Sequence, residues 1–176
     1  MLAECNKYKQ KENKSSFIND QYHNLWWWLV QTRRALYKVR AKELSQYDLI
    51  PEKESLMFVI QATGERATLA EISRWVLREP HTISHLVQTM EKEGLVKRVK
   101  DLDRKNLVRV TLTEKGKKAY LKTSKKGSVY RILLALSEEE CQQMTKCLRK
   151  LRDKALEEIG AKPPKFPPFR LRRRDK

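Results

Sequence analysis

The sequence predicts a mainly α fold that carries one small β-hairpin. Three observations lead there. Only 5 Gly and 6 Pro occur in 176 residues, too few for a loop-rich all-β chain. Apolar residues recur at helical spacing along most of the length. One short stretch alternates cleanly, with Val108, Val110 and Leu112 one way and Arg109 and Thr111 the other, as a half-buried strand does. Hydrophobic residues make up 40% of the chain, enough to form a core.

The elements follow in order. Ile18, Tyr22, Leu25, Leu29, Leu36 and Val39 recur in steps of three, four and seven and mark a first amphipathic helix over 16–44. Within it, Trp26-Trp27-Trp28 spans about 200° of the helical wheel. The three rings therefore cannot share one core stripe, and at least one meets a second surface, either a dimer contact or the wall of a small-molecule pocket. Pro51 suits the first turn of a second helix that carries Leu56, Met57, Val59 and Ile60 inward and ends at Gly64. Thr68 stands three residues before Glu71, a capping box that opens a short third helix. After a break at Arg78-Glu79-Pro80, a fourth helix runs to Gly94, with Ile83, Leu86, Val87 and Met90 inward. Residues 95–100 and 107–112 then form the hairpin around the charged turn 101–106. Helix resumes after Thr113, breaks at Gly127 and ends near Leu136. A second capping box, Ser137 with Glu140, opens the last helix. Its stripe of Cys141, Met144, Leu148, Leu151 and Ala155 has the width of a helix–helix seam.

The formal net charge is +17, with 35% of residues charged. Such a chain calls for an anionic partner, nucleic acid or an acidic membrane surface, unless the lysines merely solvate its faces. The densest block is the tail 161–176, with 7 bases, 1 acid and four prolines. An extended, mobile tail is expected there, adding phosphate affinity or only solubility. The longest fully apolar run, Leu25–Val30, is six residues, far below the roughly 20 that span a bilayer. No secretory signal is visible, and Cys5, Cys141 and Cys147 form no even framework. A cytoplasmic location without membrane attachment is the expectation.

Helix, short turn, helix and then a two-stranded hairpin is the order of a winged helix-turn-helix. Its second helix presents small polar side chains to base edges in the major groove. Here those are His81, Thr82, Ser84, His85, Gln88 and Thr89. The hairpin tip offers Arg104 to a minor groove, and Lys97, Arg98, Lys100 and Lys105 are candidate phosphate contacts.

From about residue 25 to 159 the sequence also resembles the MarR-type transcriptional regulators. The resemblance rests on Thr68-Leu69-Ala70-Glu71-Ile72 and on the run Met90-Glu91-Lys92-Glu93-Gly94-Leu95-Val96-Lys97-Arg98. It rests further on the wing signature Asp101-Leu102-Asp103-Arg104-Lys105 and on Leu112-Thr113-Glu114-Lys115-Gly116. It implies a triangular homodimer whose first, fifth and sixth helices intertwine, a recognition helix over 80–93 and a wing arginine at Arg104. It also implies a pseudo-palindromic operator on double-stranded DNA, and release by a small anionic or aromatic ligand. Ile50 stands where the family often has a Thr cap, Lys105 replaces a second wing arginine, and the tail is an addition.

The expected organisation is a flexible segment 1–15, a helical dimerisation domain over 16–50 and 113–160, a winged helix-turn-helix domain over 51–112, and the basic tail. The expected function is a sequence-specific DNA-binding regulator, more a repressor than an activator; a non-specific architectural protein is the alternative. Tyr22, Trp26 and Met57 are candidates for an effector pocket. His81 and His85 have a metal-ligating spacing, but no acid or cysteine accompanies them, so neither metal nor cofactor is expected. The acids before Cys141 disfavour a reactive thiolate, Cys147 lies near Lys146 and Lys150, and Cys5 sits among lysines without a resolving partner. Isolated glycines form no phosphate-cradling loop, and no nucleophile elbow is present, which argues against an enzyme.

Overall fold

The computed structural model describes residues 20–64, 67–100, 108–123 and 127–164. Arg104, Lys105, Cys5 and nearly all of the basic tail lie outside the described residues. The element order is α1 (Gln21–Leu44), a single 3₁₀ turn (Ser45–Tyr47), α2 (Pro51–Thr63), α3 (Leu69–Val76), α4 (Pro80–Lys92), β1 (Val96–Lys100), β2 (Val108–Leu112), α5 (Glu114–Thr123), α6 (Ser128–Leu133) and α7 (Glu138–Glu158). This is the mainly helical fold with a two-stranded wing that the sequence pattern calls for.

The termini of these elements obey local chemistry. Asp20 caps α1 by accepting the Tyr22 N–H at 3.1 Å. Pro51 occupies the first turn of α2, and Ile50 before it supplies no side-chain cap. Gly64 ends α2 at φ 55°, ψ −125°, a backbone region open to glycine alone. Ser137 and Glu140 form both halves of the capping box on α7. At α3 the box is only half made. Thr68 accepts the Glu71 N–H at 3.2 Å, but the Glu71 carboxylate turns instead to Arg74 at 2.5 Å and to the Trp75 indole N–H at 3.0 Å. Two better donors on the next turn outcompete the cap.

The core lies almost entirely within residues 44–112. Leu56, Met57 and Ile60 of α2, Ile72 and Trp75 of α3, and Ile83, Val87 and Met90 of α4 close over Leu95, Val96, Val110 and Leu112. Strands β1 and β2 pair antiparallel, Val96 opposite Leu112 and Arg98 opposite Val110. The Val110 N–H donates to the Ala67 carbonyl at 2.7 Å and Thr68 bridges Arg109, so the segment before α3 adds a third strip to the sheet. This explains why Arg109 is half-buried where alternation alone would expose it. Helix α5 crosses the wing root closely. A side-chain carbon at Gly116 would sit 1.9 Å from the Leu95 carbonyl oxygen, so only glycine fits this approach.

The long helices are different. In α1 only Leu44 is buried, and in α7 only Leu156. Among the described residues no helix is long and apolar enough to cross a membrane.

Candidate nucleic-acid interface

Helix α4 is divided by face. Ile83, Val87 and Met90 are buried, while His81, Thr82, His85 and Gln88 are exposed and Ser84 and Thr89 partly so. The apolar stripe anchors the helix, which turns the six polar candidates away from the core together. Thr89 also donates its hydroxyl to the His85 carbonyl at 3.1 Å. The first turn has Pro80 at its start and no side-chain cap from Glu79, and the Ile83 N–H closes it onto the Glu79 carbonyl at 3.2 Å.

The turn leading into α4 is fixed by hydrogen bonds. Leu77 adopts the left-handed conformation at φ 53°, ψ 49°, which costs a non-glycine residue about 1 kcal/mol. Two bonds compensate. The Arg78 N–H donates to the Ser73 carbonyl at 3.2 Å, and the Ser73 hydroxyl donates to the Arg78 carbonyl. At the other end of α4, Lys53 holds Glu93 at 2.6 Å, joining α2 to α4, and Lys115 donates to the Glu93 carbonyl at 2.7 Å. The polar face is thus held at both ends.

On the wing, Lys97 and Lys100 are exposed. Arg98 is also exposed but is engaged: Glu91 accepts its backbone N–H at 3.0 Å and lies 3.5 Å from its Nε. That pair moors the wing to α4. Arg74 and Arg78 are exposed on either side of the turn before α4 and were not among the sequence candidates. No periodicity marks them, because arginine at a helix end reads as ordinary solvation.

The effector candidates do not assemble into one site. Met57 is wholly enclosed by the core, with no surface for a ligand to touch. It belongs to the inward stripe of α2 with Leu56 and Ile60. Tyr22 and Trp26 are 71% and 63% exposed one helical turn apart on α1. A groove of about 660 Å³ lies elsewhere, between the end of α2, the wing root and the start of α5, lined by Ile60, Gln61, Lys97, Thr111 and Lys117 among others. Among the described residues no group of three His, Cys, Asp or Glu is placed to hold a metal ion.

A polar junction between α1, α2, α5 and α6 was not visible in the sequence. Arg40 Nε donates to Glu54 at 2.9 Å, its terminal nitrogens reach Glu54, Glu43 at 2.5 Å and the Thr123 carbonyl at 2.8 Å. Glu43 in turn accepts the Ser128 N–H at 2.9 Å and the Ser128 hydroxyl at 2.5 Å. Burial opposes ionisation of Glu43, but the Ser128 hydroxyl, the Ser128 N–H and Arg40 outweigh it and hold the carboxyl at about 2, against the usual 4.5. A depressed folded-state value favours the fold above pH 4.5, and that contribution is lost as pH falls toward 2. Glu43→Gln should therefore flatten the acid dependence of the urea midpoint between those pH values; a wild-type slope in the variant would disprove it.

The comparisons with known proteins agree with this geometry. Residues 51–116 match the sequence pattern of a winged helix DNA-binding domain. No curated protein sequence gives a significant match. The organohalide-sensing transcriptional regulator RdhR-CbdbA1625, in its 2,4-dichlorophenol-bound form, is 32% identical over 78% of this chain and 82% of that chain, with a TM-score of 0.67. Its ligand-free form superposes at a TM-score of 0.73 with 29% identity, covering 85% and 90%. A MarR family protein from Bacillus stearothermophilus is 28% identical over 78% and 97%, at a TM-score of 0.59. The MepR–DNA complex from S. aureus, 24% identical over 73% and 96%, shares the fold at a TM-score of 0.65. The chain belongs to the MarR family of winged-helix transcriptional regulators, a family of DNA-binding proteins rather than enzymes.

Proposed function

We propose that the protein is a homodimeric, sequence-specific repressor that places its two α4 helices in successive major grooves of a two-fold symmetric operator. The carrying observation is the division of α4, whose buried Ile83, Val87 and Met90 turn His81, Thr82, Ser84, His85, Gln88 and Thr89 outward as a set. Those side chains are the base readers in this reading. Lys97 and Lys100 hold phosphates beside them, and Arg98 serves mainly to moor the wing. Arg104, with Lys105, supplies the wing cations.

Dimerisation is supported by the surface of the single chain. Trp26, Trp27 and Trp28 are 63%, 52% and 69% exposed, and Met144, Leu148 and Leu151 lie open along α7. Apolar surface on that scale marks an interface. The 2,4-dichlorophenol held by RdhR-CbdbA1625 and the aromatic face of α1 together support a small phenolic effector that meets Tyr22 and Trp26 and releases the DNA.

Selection of bound duplexes from a random pool at moderate salt tests the reading. A two-fold symmetric consensus is expected. Enrichment without any consensus would overturn it in favour of a non-specific architectural protein, whose affinity for specific and random DNA differs little. On the selected duplex, Arg104→Ala should cost about 1–3 kcal/mol of affinity if the arginine enters a groove. Fluorescence anisotropy at low salt measures this, and an unchanged affinity removes the wing cation from the mechanism.

A further inference from the structure

The Arg40 junction ties the DNA-reading unit to the helical body and lies apart from the outward face of α4. The guanidinium lies at the end of α1 and grips Glu54 on α2 through two nitrogens, while it also reaches the carbonyl that ends α5. Glu43 carries the chain of bonds on to the start of α6. The Arg40 side chain is 13% exposed, Glu54 18% and Glu43 24%. Removing charges this far from water is costly, and apolar packing would hold four elements together as well. What a bidentate, planar donor adds is direction.

Gly127 gives an independent sign that the site is shaped around this pair. Its backbone lies at φ −79°, ψ −173°, a conformation open to any residue. Yet a side-chain carbon there would stand 2.5 Å from Arg40 Nη1 and 3.0 Å from Glu43 Oε1. The glycine makes room for the ion pair rather than for a turn.

We propose that Arg40 is a positioning residue for operator recognition: it sets the angle at which the reading unit hangs from α1, and so where α4 arrives on DNA. This inference rests on the dimeric, sequence-specific reading above. A rotation of about 10° acting over a lever of about 20 Å, the length of a 13-residue helix, displaces its far end by about 3 Å. That approaches one base-pair step, so a loose angle forfeits simultaneous fit at two half-sites. Backbone affinity for arbitrary DNA is much less sensitive to it.

The test uses the full chain with Arg40→Met, and separately Gly127→Ala, which crowds the flexible ends of the pair without removing a charge. Spin labels at Gln31→Cys on α1 and Lys92→Cys on α4, in a background with Cys5, Cys141 and Cys147 replaced by serine, report the angle within one chain after dilution with unlabelled protein. Both variants should broaden the distance distribution and lower affinity for the selected operator at least about tenfold, with random-duplex affinity held within about twofold. The Gly127→Ala urea midpoint should fall by less than that of Arg40→Met, since both charges remain and only the side-chain ends are crowded. An unchanged distance distribution in both variants overturns the inference, and so does an equal loss of operator and random-duplex affinity. If the unmodified protein selects no consensus, the regulator reading fails by its own assay, while the intramolecular distance still decides whether Arg40 fixes the angle.

Discussion

Leu148→Glu with Leu151→Glu is expected to leave the protein monomeric at micromolar concentration and to reduce operator affinity by about a thousandfold or more. Both leucines lie on the outer stripe of α7 at 46% and 47% exposure, with Met144 one turn before them. Neither contributes to the core of the single chain, so the substitution should not unfold the reading unit. In a dimer each leucine removes apolar surface worth roughly 1.5–3 kcal/mol from water. Two carboxylates at the same seam, repeated by symmetry, would be buried without partners. Loss of pairing then costs the second half-site, whose binding in an intact dimer is intramolecular and gains roughly 10²–10⁴. Light scattering after size exclusion and anisotropy on the operator read the two effects. A variant that remains dimeric would move the interface away from α7.

Met57→Ala is expected to destabilise the protein by about 2–5 kcal/mol. Met57 is fully enclosed among Leu56, Val59, Ile60 and the buried faces of α3 and α4, and its long side chain leaves a cavity the surrounding helices cannot collapse into freely. Urea unfolding at fixed protein concentration measures the loss. The same variant separates packing from ligand sensing: any weakening of effector response should follow the fraction folded. A response lost at full folding would return Met57 to a binding role.

Much of the fold was legible because its signals are local. Pro51 and Pro80 start helices, Gly64 stops one, and Ser137 with Glu140 writes a capping box in four residues. The outward set on α4 was legible too, since a helix with Ile83, Val87 and Met90 inward leaves no other place for His85 and Gln88. The Arg40 junction could not be read this way. Its partners stand 83 and 85 residues apart in the chain, and each alone resembles an ordinary surface charge. Glu71 misled for a related reason: the cap spacing was correct, but Arg74 and Trp75 offered the carboxylate closer company. Met57 was legible as core, since its spacing with Leu56 and Ile60 already sets it on the inward stripe of α2, and that pattern outweighs the residue type it shares with pocket walls.

The concentration of buried apolar side chains between residues 44 and 112 divides the molecule thermodynamically. That part holds most of the buried apolar side chains, whereas α1 and α7 bury only Leu44 and Leu156 within one chain. Under the proposed assembly, those two helices gain their burial by mass action, which depends on how many copies are present. Expression level would then govern regulation twice over, through occupancy of the operator and through the supply of competent pairs, giving a response steeper than copy number alone.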